Sequence, residues 1–120
     1  MAHMTTSPLA QAYLRFLQLA KPIDGSADLP NLDANERALL EALAMDWHNG
    51  TPMTVMQAMA LKHLGSPATL HRRISRLRKL GMIESQEDEH DTRIKRLVLT
   101  PTARSYFEQM GETLKMATAR

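Results

Sequence analysis

Residues 66 to 81 constrain the fold more than any other part of the sequence, because they carry the signals that delimit a helix. Ser66 and Pro67 form a helix start, in which the hydroxyl caps a free backbone amide and the proline needs no amide hydrogen. Gly81 supplies the left-handed residue that commonly follows the last turn of a helix. The segment therefore predicts a helix from about residue 66 to about residue 80.

This helix is amphipathic, and its polar side is basic. On a helical wheel Leu70, Ile74 and Leu77 form one apolar stripe. The opposite side carries Ala68, Arg72, Ser75, Arg76 and Lys79. Residues 71–79 contain five Lys or Arg and no acid, whereas residues 1–61 contain three Lys or Arg and six Asp or Glu. Such a face is typical of nucleic-acid binding, although a solvated surface helix can have the same pattern.

Helical signals also precede this segment. Ser7-Pro8 predicts the start of an N-terminal helix that ends at Lys21-Pro22, and an irregular linker follows. Asp33 and Glu36 predict a capping box at the start of the next helix. A third helix is expected from about residue 52 to residue 61, and its inward residues are predicted to be Val55, Met56, Met59 and Ala60.

The hydrophobic period changes after Gly81. Two β-compatible runs, residues 82–86 and 94–99, flank a polar stretch and predict a hairpin. Thr100-Pro101 then opens a last helix. The order predicts a mainly α fold with a small β-hairpin, a winged helix-turn-helix with N- and C-terminal helices. We expect a single domain over residues 1–120, divided into an N-terminal helix (4–20), the helix-turn-helix and wing (32–100) and a C-terminal helix (101–118).

Several function classes lose support from what the sequence lacks. Without cysteine there is no disulfide, thiolate zinc site or thiol switch. The sequence has no Gly-rich phosphate loop, and its histidines at positions 48, 63, 71 and 90 are scattered, so we expect no enzyme, no metal site and no cofactor. No apolar run approaches the roughly 18 residues of a membrane span, so we expect a cytoplasmic protein with no membrane partner.

A helix, a turn with glycine and a second, basic helix are the elements that place a recognition helix in a DNA major groove. Arg72 and Arg76 could each donate two hydrogen bonds to a guanine, and the first turn would lie near the groove floor. The residues expected to contact double-stranded DNA are Ser66, Pro67, Ala68, Thr69, His71, Arg72, Ser75, Arg76, Arg93 and Lys95.

The last two of these residues lie in the hairpin. As a wing, the hairpin could bring Arg93 and Lys95 to a minor groove or the flanking backbone, with Asp91 orienting the arginine. The acidic run 87–89 opposes this interpretation unless it folds away, because phosphates repel carboxylates. An ordinary charged turn is the alternative.

The segment from Leu32 to about Gly111 resembles the multiple-antibiotic-resistance regulator (MarR) family of winged-helix proteins. The matching motifs are Ser66-Pro67-Ala68-Thr69-Leu70, Leu77-x-x-x-Gly81-Met82-Ile83, Asp91-x-Arg93 and Leu99-Thr100. The resemblance implies a transcriptional regulator that is an obligate dimer with interlocking terminal helices, recognition helices in successive major grooves and Arg93 as the wing arginine. It leaves open whether a small-molecule effector binds.

The residues also indicate a homodimer independently of this resemblance. Apolar residues of the terminal helices lie outside the helix-turn-helix and, left exposed, would form a large patch: Leu9, Tyr13, Phe16, Leu17, Phe107, Met110 and Leu114. The alternative to a dimer is that both helices pack onto their own domain. The alternative function is a winged-helix module that binds protein without specific DNA binding. RNA binding is a weaker alternative, because only 4% of residues are aromatic and base stacking depends on aromatic side chains.

Overall fold

The computed structural model describes residues 6–26 and 28–119, which contain five α-helices and one antiparallel hairpin. The helices are α1 (Pro8–Ala20), α2 (Ala34–His48), α3 (Val55–Met59), α4 (Pro67–Lys79) and α5 (Pro101–Thr118), and the strands are β1 (Ile83–Glu87) and β2 (Lys95–Leu99). The expected fold class, mainly α with a small hairpin, is confirmed. The start of the expected N-terminal helix, Met4 and Thr5, lies outside the described residues.

Helix starts lie where their local signals predict them. The Asp33 carboxylate accepts the Glu36 amide at 2.7 Å, and the Glu36 side chain accepts the Asp33 amide at 2.9 Å. Ser7 caps α1 by accepting the Ala10 amide. Thr100 accepts the Ala103 amide at 3.1 Å at the start of α5. Each cap satisfies an amide that the first helical turn leaves without an intrahelical partner.

The third helix is shorter than its sequence pattern suggests. Residues 52–54 are not helical, because the Leu97 amide donates to the Met53 carbonyl at 2.8 Å and Thr54 pairs with Arg96 of β2. Thr54 then caps α3, with Gln57 completing a capping box. Backbone pairing with a strand more than 40 residues away therefore delays the start of the helix.

This shorter helix also changes which residues face the core. Ala58 is fully buried, whereas Met56 is 82% exposed and Ala60 is exposed. Val55 and Met59 are half-buried. The prediction that Met56 and Ala60 point inward is therefore wrong, since it assumed a longer helix with a different register.

The chain divides into two compact units, one of which is Leu32–Arg104. Its core lies among α2, α4 and the hairpin, where α2 packs on both α4 and β2. The side chains with at most 2% exposure in this core include Leu39, Leu40, Leu43, Leu70, Ile74, Leu77, Met82, Ile83 and Leu97. The stripe predicted for α4 is therefore the face that fixes this helix on the unit.

The other unit contains the described residues up to Asn31 and those from Ser105 onward. Arg15 of α1 donates to the Ala117 carbonyl at 2.9 Å, so α1 and the end of α5 are in contact. Tyr106 and Ala117 are buried, but Leu114 is exposed. None of the described helices has the length and apolar character that crossing a membrane requires.

Candidate nucleic-acid interface

The turn before α4 is tied to the first turn of the helix. Gly65 adopts φ +150°, a conformation that L side chains rarely adopt. The Ser66 hydroxyl accepts the Thr69 amide at 3.2 Å and lies 3.0 Å from the Thr69 hydroxyl, to which it donates. Pro67 occupies the first helical position. These contacts fix the N-terminal end of α4, the end that a recognition helix directs at base edges.

The remaining predicted residues of α4 lie on its solvent face. Ala68, His71, Arg72, Ser75 and Arg76 are exposed, together with Ser66 and Pro67, whereas Thr69 is half-buried. Leu70, Ile74 and Leu77 are buried on the other side. The structure thus brings the α4 residues of the predicted set together on one accessible helix face, apart from the partly covered Thr69.

The five cations of residues 71–79 make different contacts. Arg73 is half-buried and donates to the Leu64 carbonyl at 2.7 Å, which ties α4 to the preceding turn. Arg78 donates to the Ser85 hydroxyl of β1 at 2.9 Å. Arg76 forms an ion pair with Glu36 of α2. Three of the five cations therefore hold α4 to its own domain.

The other two cations are less constrained. Arg72 donates to the Thr69 hydroxyl at 3.3 Å, within its own helix, and the exposed Lys79 side chain forms no hydrogen bond or ion pair with the described residues. A wheel projection cannot separate these two groups, because it contains no information about neighbouring elements.

Arg93 lies in the loop between the two strands, and 88% of its side chain is exposed. The Asp91 carboxylate accepts Nε and Nη2 of Arg93, each at 3.0 Å, and also the Arg93 amide at 3.0 Å. The hydrogen bond with the Arg93 side chain is the main reason that the pKa of Asp91 is lowered, and it raises the pKa of Arg93. Asp91 therefore orients the arginine, as the sequence pattern suggests.

The acids of the wing are largely paired with wing cations. Glu87 bonds Lys95 across the hairpin at 3.0 Å. Asp88 accepts Arg96 Nε at 2.6 Å and two backbone amides, and these contacts, that with Arg96 foremost, lower its pKa. Glu89 is exposed. Pairing reduces the repulsion that residues 87–89 would exert on phosphates, but it also engages Lys95.

Arg96 and Glu36 have roles that sequence reasoning missed. Arg96 links the wing to the segment before α3, since it binds Asp88 and also donates to the Pro52 carbonyl at 2.9 Å. Glu36 has a clear local signal as a helix cap, but its second contact, to Arg76, involves a residue 40 positions away. No periodic pattern in the sequence indicates that pair.

A cleft of about 370 Å³ lies between the start of α3 and the wing. It is lined by Thr54, Val55, Met56, Arg93, Ile94 and Lys95. Among the described residues no three His, Asp or Glu side chains form a group that could hold a metal ion. The accessible residues of the predicted DNA-contact set therefore lie on the α4 face and in the wing.

No family model and no curated protein sequence matches the chain, but solved structures do. MepR of S. aureus, solved with ethidium bromide, has a TM-score of 0.68 and 20% identity, with 94% of this chain and 77% of that chain covered. A probable transcriptional regulator of Pseudomonas aeruginosa has a TM-score of 0.55 and 26% identity, with coverages of 91% and 78%. Streptococcus pneumoniae FabT, solved in complex with DNA, has a TM-score of 0.60 and 17% identity, with coverages of 87% and 68%.

These proteins are longer than this chain, which spans 65% of the length of PefR of Streptococcus agalactiae and 81% of that of BpsR of Bordetella bronchiseptica. The crystal structure of MarR is also among those matched. Helix-turn-helix, hairpin and flanking helices occur in the order that the sequence resemblance predicts. The chain therefore has a MarR-like winged helix-turn-helix fold.

Proposed function

We propose that this chain, with its MarR-like winged helix-turn-helix fold, is a transcriptional regulator that binds specific double-stranded DNA as a homodimer. The observation that carries the proposal is the solvent face of α4, where Arg72 and Arg76 are exposed beside a capped, fixed first turn. Arginine suits base recognition, because its planar guanidinium can donate two hydrogen bonds to O6 and N7 of guanine. Similarity in fold to FabT, which was solved with DNA, supports the same conclusion.

In this proposal α4 lies in the major groove and its outer residues contact base edges and phosphates. Ser66, Pro67, Ala68, Thr69, His71, Arg72, Ser75 and Arg76 form the contact set. Arg73 is outside this set, because it is half-buried and its guanidinium donates to the Leu64 carbonyl. Specificity would come from the two arginines, and the capped first turn would hold the register on the duplex.

The wing supplies the second part of the proposed interface. Arg93 is exposed and held at two nitrogens by Asp91, so it can reach a narrow minor groove with little loss of conformational freedom. Lys95 would contact the neighbouring phosphates, in competition with Glu87. The wing would therefore add shape-dependent preference for the base pairs that flank the α4 contacts.

Selection of bound duplexes from a random pool tests this function directly. We expect an inverted repeat to emerge, because a two-fold dimer presents two copies of α4. Affinity for the selected duplex should fall at least about tenfold between 50 and 200 mM salt, since several cations displace condensed counterions. Failure to bind any duplex at low salt, or an affinity that salt leaves unchanged, would contradict the proposal.

A further inference from the structure

Glu36 is a buried acidic residue on α2 with partners for both carboxylate oxygens. Its side chain is 4% exposed. Oε1 accepts the Asp33 amide at 2.9 Å, and Oε2 forms the ion pair with Nε of Arg76. A buried carboxylate requires a compensating charge, because burying an unpaired ion is costly. The cap alone explains Oε1, but it does not explain why Oε2 faces the basic helix.

Unlike the Glu36 side chain, the Arg76 side chain is largely exposed to solvent. Although Nε binds Glu36, 59% of the Arg76 side chain is accessible, so the guanidinium can bind a second acceptor from the solvent side. A planar group that is fixed at one edge has a restricted orientation at the others. Among the described cations of α4, Arg76 is the only one paired with a carboxylate.

We infer that Glu36 is a positioning residue that orients Arg76 for the recognition of one base pair in each half-site. This inference rests on the proposed function and assigns a specificity role to a residue of α2. Orientation before binding reduces the conformational entropy that a free arginine would lose in the groove. The carboxylate also neutralises part of the charge of Arg76, so the contact favours discrimination among bases over general attraction to phosphates.

Glu36→Gln is the informative variant, because glutamine can complete a capping box at the same position and has no charge. Base preferences of the wild type and of E36Q should be measured with the selected duplex and all its single base-pair substitutions. We expect E36Q to lose about fivefold or more of the discrimination at one position of each half-site. Affinity for an unrelated duplex should remain equal or increase, since a negative charge near the interface has been removed.

Glu41→Gln is the matched control, since Glu41 is an exposed glutamate on the same helix. It should leave every base preference unchanged. Arg76→Ala should weaken the base preference at the same position as E36Q. The double variant E36Q/R76A should discriminate no less than Arg76→Ala alone, because both changes act on the same contact. Unchanged preferences in E36Q, or an equal loss of affinity for all duplexes, would overturn the positioning role.

A second measurement tests the ion pair without DNA. Because its decisive comparison is made in the wild type, it does not depend on correct folding of E36Q. In the wild type, NMR should show slower solvent exchange of the Arg76 Hε proton than of the Arg72 Hε proton, and E36Q should abolish the difference. Equal exchange in the wild type would overturn the inference. A wild type that binds no duplex would contradict the proposed function as well, whereas specific binding with unaltered E36Q preferences would remove only the role of Glu36.

Discussion

Adjacent arginines of α4 differ in what surrounds them, and this difference predicts separate roles for them in the proposed DNA recognition and in folding. Arg72 is exposed, and among the described residues its side chain hydrogen-bonds only to the Thr69 hydroxyl of its own helix. Arg73 is half-buried and donates to a backbone carbonyl of the preceding turn at 2.7 Å. Two neighbouring residues of the same type should therefore have opposite phenotypes when each is replaced.

We predict that Arg72→Ala weakens binding to the selected duplex by about 1 to 3 kcal/mol and leaves the free energy of unfolding nearly unchanged. Arg73→Ala should lower the free energy of unfolding by about 1 to 3 kcal/mol, because the Leu64 carbonyl loses a charged donor. Fluorescence anisotropy with labelled duplex and urea unfolding measure the two quantities.

Arg104→Ala is the control for this pair, since the Arg104 side chain is exposed and forms no hydrogen bond or ion pair with the described residues. Arg15 and Arg37 are less suitable controls, because each donates to a backbone carbonyl. If Arg72→Ala and Arg104→Ala reduced binding equally, the outer face of α4 would not be the recognition surface.

Contacts at the ends of elements add to the packing of their buried faces, and the turn before α4 is one place where they do. A Cβ on Gly65 would lie 3.2 Å from Nη1 of Arg73 and 3.3 Å from Cγ2 of Thr69, at a φ of +150°. Gly111 of α5 has open space around its Cβ position and no positive φ. Replacement by alanine should therefore change the free energy of unfolding in opposite directions at Gly65 and Gly111.

Gly65→Ala is expected to destabilise the protein by about 1 to 3 kcal/mol, because both backbone conformation and Arg73 must adjust. Gly111→Ala should stabilise it by about 0.5 to 1 kcal/mol, since alanine loses less conformational entropy in a helix. Chemical unfolding of the two variants, compared with the wild type, provides the measurement. The same sign of change at both positions would contradict this account of the turn.

Within the wing, the Asp88–Arg96 pair links stability to pH. The hydrogen bond from Arg96 lowers the pKa of Asp88 below its ordinary value of about 4. The stabilisation is therefore complete above that ordinary value and is lost as the pH falls through the lower pKa of the folded state. The hairpin should consequently loosen on acidification.

Carbon NMR of the Asp88 carboxyl group should give a titration midpoint below the ordinary range, and Arg96→Gln should raise that midpoint. Backbone shifts of Leu97 should follow the Asp88 titration in the wild type, because Arg96 also anchors the strand to the Pro52 carbonyl. An Asp88 midpoint that does not change in the Arg96→Gln variant would show that Arg96 is not the cause.

Element boundaries were predictable where their cause is local. Asp33 with Glu36 and Ser66 with Pro67 act within one helical turn, so the starts of α2 and α4 follow from the sequence. The start of α3 also has a local signal, the capping box of Thr54 and Gln57, which the expectation of a helix from residue 52 overlooked. The extended backbone before that cap depends on the pairing of Met53 and Thr54 with β2, which no local pattern indicates. Which α4 arginines are bonded within the protein likewise depends on Leu64, Ser85 and Glu36, which lie outside α4.

At the scale of the whole molecule, the terminal helices expose much of their apolar surface. Leu9 of α1 is 85% exposed and Leu114 of α5 is 54% exposed. Tyr13, Leu14, Leu17 and Met116 add further exposed apolar side chains on the same two helices. Exposed apolar side chains in such number on two helices often mark a site of association.

We therefore predict a homodimer that buries this surface and has a mass of about twice 13.5 kDa in sedimentation at micromolar concentration. Leu9→Glu should shift the protein toward monomer, because the exposed side chain contributes little to the fold of one chain but would bury a charge in the interface. Met56→Glu is the control, since Met56 is similarly exposed but lies on α3, and it should leave the dimer intact.

A two-fold dimer would place two α4 helices about 34 Å apart, one turn of DNA, so Leu9→Glu should also weaken binding to the inverted repeat more than to an isolated half-site. A wild type that sediments as a monomer both alone and on its selected duplex would contradict the dimer and the inverted repeat together.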